Sequence, residues 1–231
     1  MKKKEDPMIE LGLPRPLILG SGSFTRKLIL KEMGIEYELI VRSIDEKGLG
    51  DRNGDPSELV LTLAKAKGDY LVSCLNADPE LLPSSSSGFI VLTADQVVTH
   101  DGSILEKPES IEEAKMFVHG YGSVPPKTVG ACVLTHIPTG IQVSGVDTAQ
   151  INFAPTVATS DLIDQLLQED APVLSCAGGL MVEHPLVKQH IERIDGTEDS
   201  VMGLSKDLVL RLLQEIQQKL LIHSSTPTNQ S

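Results

Sequence analysis

Positive charge is scarce in this chain of 231 residues: 20 lysines and arginines stand against 32 aspartates and glutamates, a formal net charge of −12. That deficit excludes the broad basic footprint by which proteins hold polymeric nucleic acid. Any phosphate ligand must be small and held by a local cluster of cations. Cysteine is scarce too. Cys74, Cys132 and Cys176 are odd in number and far apart, which argues against a disulfide framework or a CxxC zinc site. Each reads as a small hydrophobe in a reducing compartment, and a cytoplasmic location is expected. No apolar run approaches membrane length, so no membrane partner is expected. Residues 1–7 carry charge with no apolar core behind them, unlike a secretory signal. The six histidines show no metal-ligand spacing. There is no internal repeat, and no linker that would divide the chain.

What is present begins with residues 16–27, Pro-Leu-Ile-Leu-Gly-Ser-Gly-Ser-Phe-Thr-Arg-Lys. A short apolar run, read as a strand over 16–20, stops at a Gly-Ser-Gly-Ser turn. A basic helix over 24–33 follows, with Ser23 as N-cap and Gly34 as stop. Free backbone N–H groups and the positive end of the helix dipole converge there, which suits an anion. Ser21, Ser23, Arg26 and Lys27 add two hydroxyls and two cations. Taken alone, the turn reads equally well as a Ser-capped surface helix. It has neither the spacing of a Walker A loop nor the third glycine of a dinucleotide fingerprint.

Further along, residues 36–41 alternate as a strand and 42–54 form a charged loop with Asp45 and Glu46. Asp55-Pro-Ser-Glu58 opens a helix that runs into the seventies and carries Lys65 and Lys67. A polar loop spans 76–88, with Ser84–Ser87 at its centre. Residues 89–93 read as a strand, with Asp95 directly after it, where an acid can activate water or hold a divalent cation. Its spacing alone fits a turn-forming acid better. Ser110-Ile-Glu-Glu113 is a capping box for a helix burying Ala114, Phe117 and Val118. Residues 128–134 and 142–153 pair as strands through Pro138-Thr-Gly140. Helices are expected at 160–168 and 204–220. Lys107 precedes a proline in a loop, and read singly is a solvated turn charge. In Cys176-Ala-Gly-Gly, the paired glycines suggest a backbone that approaches a ligand closely. Strands that follow one another directly favour a mixed sheet. The fold class expected is α/β (α+β): a two-lobed single domain with a mixed twisted sheet, flanking helices and a central cleft.

The order of these segments is more specific than any one of them. Ser21-Gly-Ser-Phe-Thr-Arg26, Asp45-Glu46, Leu63-Ala-Lys-Ala-Lys67, Ala94-Asp-Gln-Val-Val98, Glu106-Lys-Pro108, Ala177-Gly-Gly179 and Ser200-Val-Met-Gly-Leu204 together resemble the Maf family. The resemblance runs from about residue 16 to the last helix. It implies a housecleaning hydrolase that cleaves nucleoside triphosphates to monophosphate and pyrophosphate with magnesium or manganese, and it admits a homodimer. Carried over, Ser21, Ser23 and Arg26 hold phosphates and Asp95 is the general base. Glu46, Lys67 and Lys107 line the same cleft, the metal ligands being left open. The resemblance divides the chain into a flexible extension (1–14), the pyrophosphatase domain (15–222) and a disordered tail (223–231). Gln96 and Glu183 resemble the branch that prefers 7-methyl-GTP over the one acting on dTTP and UTP. Thr25 stands where that branch usually has an aromatic residue, and is the third position expected to bear on specificity. The alternatives are a non-catalytic nucleotide-binding regulator of cell division or growth, and a nicotinamide-dependent oxidoreductase. The second is poorly supported, since both the third glycine and an obvious ribose-binding acid on the next strand are missing.

Overall fold

The computed structural model describes residues 5–82, 88–179 and 181–225. The first elements are α1 (Pro7–Glu10), β1 (Leu17–Leu19), α2 (Phe24–Met33), β2 (Tyr37–Leu39) and α3 (Pro56–Ala77). Then come β3 (Phe89–His100), β4 (Ser103–Leu105), α4 (Ile111–Tyr121), β5 (Lys127–Ile137), β6 (Gln142–Phe153) and α5 (Leu162–Gln168). The chain closes with α6 (Pro185–Lys188), β7 (Ile191–Asp195), α7 (Glu198–Val201) and α8 (Lys206–Ser225). One sheet runs in the order β2-β1-β3-β5-β6-β7, with β4 also against β3. β1 is parallel to β2 and β3, and the remaining pairs are antiparallel. The sheet is therefore mixed, as expected.

β3 explains the layering. Side chains alternate across a strand, and here both faces are covered. Phe89 and Val91 pack with Leu71 and Leu75 of α3, and Val97 packs with Leu59, Val60 and Leu63 of the same helix. Ile90, Leu92 and Ala94 face the other way, into a core shared with α2 and α8. A separate core joins α4, α5 and β6 through Phe117, Tyr121, Ile151, Phe153 and Leu166. These cores form the two lobes.

The cleft follows from pairing. β5 lies along β3 over its whole length from Phe89 to Thr99. On the opposite edge, β1 pairs only at Val91 and Leu92, and β4 only from Val98 to His100. Residues 93–97 have no partner strand on that edge, and the gap between β1 and β4 is where the lobes part.

Several local details differ from the sequence reading. Asp95 is not beyond a strand end but in the middle of β3, which continues to His100 because β4 and β5 go on pairing with it. β4 and β7 are additional strands. Within the segment expected as a flexible extension, α1 is capped by Asp6 and buries Met8 completely against the α2–α8 core. Within the expected tail, residues up to Ser225 continue α8. Residues 226–231 and Ser84–Ser87 lie outside the described residues.

Candidate active site

Three elements meet at the open edge of β3. The first is the turn between β1 and α2. The Ser23 hydroxyl accepts from the Arg26 backbone N–H at 3.4 Å, and Gly34 ends α2 in the left-handed region at φ 80°. Both helix ends match the sequence reading, because cap chemistry is local. Ser21 is buried, and its hydroxyl accepts from the Ser23 N–H at 3.4 Å. Arg26 Nη1 donates to Ser21 Oγ at 3.0 Å and to the Ala94 carbonyl of β3 at 2.9 Å, and Nε donates to the Gly203 carbonyl at 3.0 Å. Nη2 makes no hydrogen bond among the described residues. Burial pulls the Arg26 guanidinium below its usual range, and the nearby charges of Asp95, Cys132 and Glu46 oppose that.

The second element is α3. Lys67 lies on the helix face of Val60, Leu63, Ala64 and Leu71, the face that packs on the sheet. Gly68 allows the close approach: a Cβ there would lie 2.9 Å from Thr93 Oγ1. The Thr93 hydroxyl in turn donates to the Ala64 carbonyl at 2.8 Å. This contact brings Lys67 Nζ to 2.6 Å from Asp95 Oδ1 and 2.9 Å from Glu46 Oε2. Asp95 projects toward α3 because it shares the β3 face of Thr93 and Val97. Burial raises its pKa, and the Lys67 ammonium works against that rise.

The third element is the loop after β4. Arg52 links it to the rest. Its Nη2 donates to the Glu46 carbonyl at 2.8 Å, and its Nε lies 3.4 Å from Glu106 Oε2. Lys107, the next residue, is exposed. Charges on Glu183 and Lys107 act on the Cys176 thiol in opposite directions. Burial first, and Glu183 second, push that thiol up to about 11, against Lys107.

Ser21, Arg26, Glu46, Lys67 and Asp95 thus share one cleft, and the Arg52–Glu106 pair ties the loop that carries Lys107 to the Glu46 backbone. Thr25 sits at the same turn as Ser23, hydroxyl to hydroxyl at 2.9 Å. Gln96 is placed differently. It lies on the face of β3 opposite Asp95, and its Nε2 donates to the Ser200 and Val201 carbonyls at 3.0 and 3.1 Å. The paired glycines also differ from expectation. A Cβ on Gly178 would meet Tyr121 Oη at 2.7 Å and Val98 Cγ2 at 2.9 Å, so the close neighbours are protein groups. Arg52 escaped the sequence reading; its signal was a lone arginine between Glu46 and the Asp55 cap. A cavity of about 370 Å³, lined by residues such as Met116, His119 and Val157, lies between α4 and α5 and holds none of these groups.

Among the described residues no three acidic, histidine or cysteine side chains are grouped to hold a metal. The cleft instead balances Arg26, Arg52 and Lys67 against Glu46, Asp95 and Glu106. A polyphosphate entering a balanced site brings a need for more positive charge. Glu46, about half exposed at 44%, is a carboxylate of the oxygen-donor type that would suit a hard divalent ion. No helix among the described residues is long and apolar enough to cross a membrane.

The chain is 33% identical over 204 residues to a 7-methyl-GTP pyrophosphatase of Dictyostelium discoideum, covering 88% of this chain and 98% of that one. It is 28% identical over 208 residues to a nucleoside triphosphate pyrophosphatase of Salinispora tropica (88% and 85% covered). A dTTP/UTP pyrophosphatase of Bdellovibrio bacteriovorus is 30% identical over 199 residues (86% and 97% covered). Residues 16–216 match the family described as Maf-like protein, the stretch that holds every cleft residue named above, and the chain belongs to that family.

Proposed function

We propose that this cleft takes 7-methyl-GTP ahead of dTTP and UTP, and cleaves it with Asp95 as general base. The reaction is that of a nucleoside triphosphate pyrophosphatase, a phosphoanhydride hydrolase of nucleotide housecleaning. The observation that carries the reading is the Glu46–Lys67–Asp95 bridge, set within reach of the α2 N-terminus and Arg26. Phosphate oxygens are held by Ser21, Ser23 and Arg26 at the turn, and by Lys67 and Lys107 across it. Asp95 takes a proton from water as the water oxygen bonds to phosphorus at the α–β anhydride. The P–O bond of that anhydride breaks, and pyrophosphate leaves with the electron pair. Phosphoanhydride cleavage needs mainly positioning and charge neutralisation, which this set of residues offers. A magnesium or manganese ion held by Glu46 would supply further positive charge to the phosphates.

Glu183 is the selector in this reading. A carboxylate facing a methylated, cationic guanine accepts from its N–H donors and offsets its charge. The test is pyrophosphate release from a panel of nucleoside triphosphates that includes 7-methyl-GTP, dTTP and UTP. The expected ranking puts 7-methyl-GTP first, and Glu183→Ala flattens it without stopping the reaction. A ranking untouched by Glu183→Ala removes Glu183 as selector.

A further inference from the structure

Residues 42–54 form neither helix nor strand, yet they carry Glu46, whose carboxylate lies 2.9 Å from Lys67 Nζ. Two turns fold this loop back on itself. The Glu46 carbonyl accepts from the Leu49 N–H at 3.1 Å, and the Asp51 carbonyl from the Gly54 N–H at 3.3 Å. The Asp51 carboxylate also accepts from the Asn53 N–H at 2.8 Å. Arg52, in the second turn, reaches back to the first. Its Nη2 donates to the Glu46 carbonyl at 2.8 Å, and its Nη1 donates to the Leu49 carbonyl. The Leu49 side chain packs on the α3 core. Arg52 Nε points out of the loop and donates to Glu106 Oε2 at 3.4 Å. Glu106 is anchored in the other lobe. Its carbonyl accepts from the Gly178 N–H at 3.0 Å, and the Gly178 carbonyl accepts from the buried Tyr121 Oη at 2.8 Å.

We infer that Arg52 is a positioning residue of the reaction: one guanidinium holds the Glu46 backbone on the α3 side and the Glu106–Lys107 loop on the α4 side at a fixed separation across the cleft. The inference rests on the role given to Glu46 above. A planar guanidinium suits this task, because its donors point in fixed directions and meet three acceptors at once, which an ammonium on a flexible stem does not. Each of its three nitrogens is engaged by a protein oxygen, which favours holding over binding phosphate. Ordering the loop before substrate arrives lowers the cost of aligning Glu46 and Lys67 with the phosphates. The Arg52 and Glu106 side chains are 26% and 51% exposed, and such a pair adds little to folding. Its loss is therefore expected to show in catalysis and not in stability.

The test compares Arg52→Ala, Arg52→Lys, Glu106→Ala, Glu46→Gln and the Arg52→Ala/Glu46→Gln pair, in the full chain, by kcat and KM for pyrophosphate release across the nucleotide panel. Melting temperature and trypsin cleavage after Lys47 are measured alongside. Arg52→Ala is expected to lower kcat about tenfold on every nucleotide with KM within about twofold, as lost alignment predicts. Its melting temperature stays within a few degrees of the parent, and cleavage after Lys47 accelerates as the loop opens. Arg52→Lys keeps the charge without the fork and stays close to Arg52→Ala. Glu106→Ala lowers kcat in the same direction by less. In the paired variant the arginine substitution adds nothing to the loss from Glu46→Gln. Losses that multiply in the pair, a parental rate in Arg52→Lys, or a raised KM at unchanged kcat in Arg52→Ala make Arg52 a direct contact to phosphate and overturn the inference. So does cleavage after Lys47 at the parental rate in Arg52→Ala. Should Arg52→Ala fail to fold, Arg52→Lys paired with Glu46→Gln gives the same reading. A parental kcat in Glu46→Gln instead fails the assignment of Glu46, and leaves Arg52 nothing to position.

Discussion

Asp95 combines two environments that ordinarily exclude each other. It is buried in the middle of a strand, 8% exposed, yet a lysine and an open sheet edge lie beside it. Replacing it with asparagine keeps the shape and removes the base. Asp95→Asn is expected to cut turnover by about 10²–10⁴-fold, with a melting temperature within a few degrees of the parent. Turnover near the parental rate would remove Asp95 from the mechanism. Its raised pKa fixes a direction for pH as well. A base works deprotonated, so the acid limb of the pH–rate profile is expected above the range of an ordinary aspartate, and activity falls as pH drops through it. Lys67→Ala removes the opposing charge and is expected to move that limb higher still. Cys176 offers a test of where Glu183 lies. A thiol near 11 is protonated at neutral pH, so alkylation of Cys176 by iodoacetamide, followed by peptide mass spectrometry, is expected to be slow at pH 7.5 and to accelerate above pH 10. Glu183→Gln removes a charge that raises this pKa, and is expected to speed labelling at fixed pH. An unchanged rate would place Glu183 away from Cys176.

Elements whose signals are local were legible, and elements that depend on partners were not. The bounds of α2 follow from Ser23 and Gly34, and the start of α4 from Ser110, whose hydroxyl accepts from the Glu113 N–H at 3.1 Å. By contrast, β7 exposes Glu192, Arg193 and Asp195, so it lacks the alternation that marks a strand; β6 pairs with it all the same. β3 ran longer than its apolar start because Asp95 and Gln96 find partners in α3 and in α7, which no spacing in the chain announces. The sequence brought Lys67 and Asp95 into one list but gave no reason for their contact. That reason is the fit of α3 on β3 at Gly68. Gly68→Val is expected to push α3 off Thr93 at a cost of about 1–3 kcal/mol, measurable by urea denaturation, and to lower turnover by parting Lys67 from Asp95. Unchanged stability would mean that the helix is free to shift there.

At the scale of the molecule, the cleft is a consequence of topology. A single strand, β3, is shared by a parallel segment near its start and an antiparallel hairpin near its end, and between them its edge is left open. The early serine turn, the helix of Lys67, and the Glu106–Lys107 loop are all delivered to that opening. The ordered motifs made the family legible from the sequence, and the chain's acidity limited the ligand to a small one. Neither could reveal that Gln96 faces away from Asp95, because that depends on which neighbours a residue's strand face meets.

The most direct measurement is a product analysis. The purified chain is incubated with 7-methyl-GTP and magnesium, and the phosphorus species are followed by ³¹P NMR, with Asp95→Asn run beside it. The account predicts nucleoside monophosphate and pyrophosphate in equal amounts from the parent, and from the variant the same products at a rate lower by about 10²–10⁴-fold. Orthophosphate with nucleoside diphosphate, or no turnover of any nucleoside triphosphate in the panel, would contradict it.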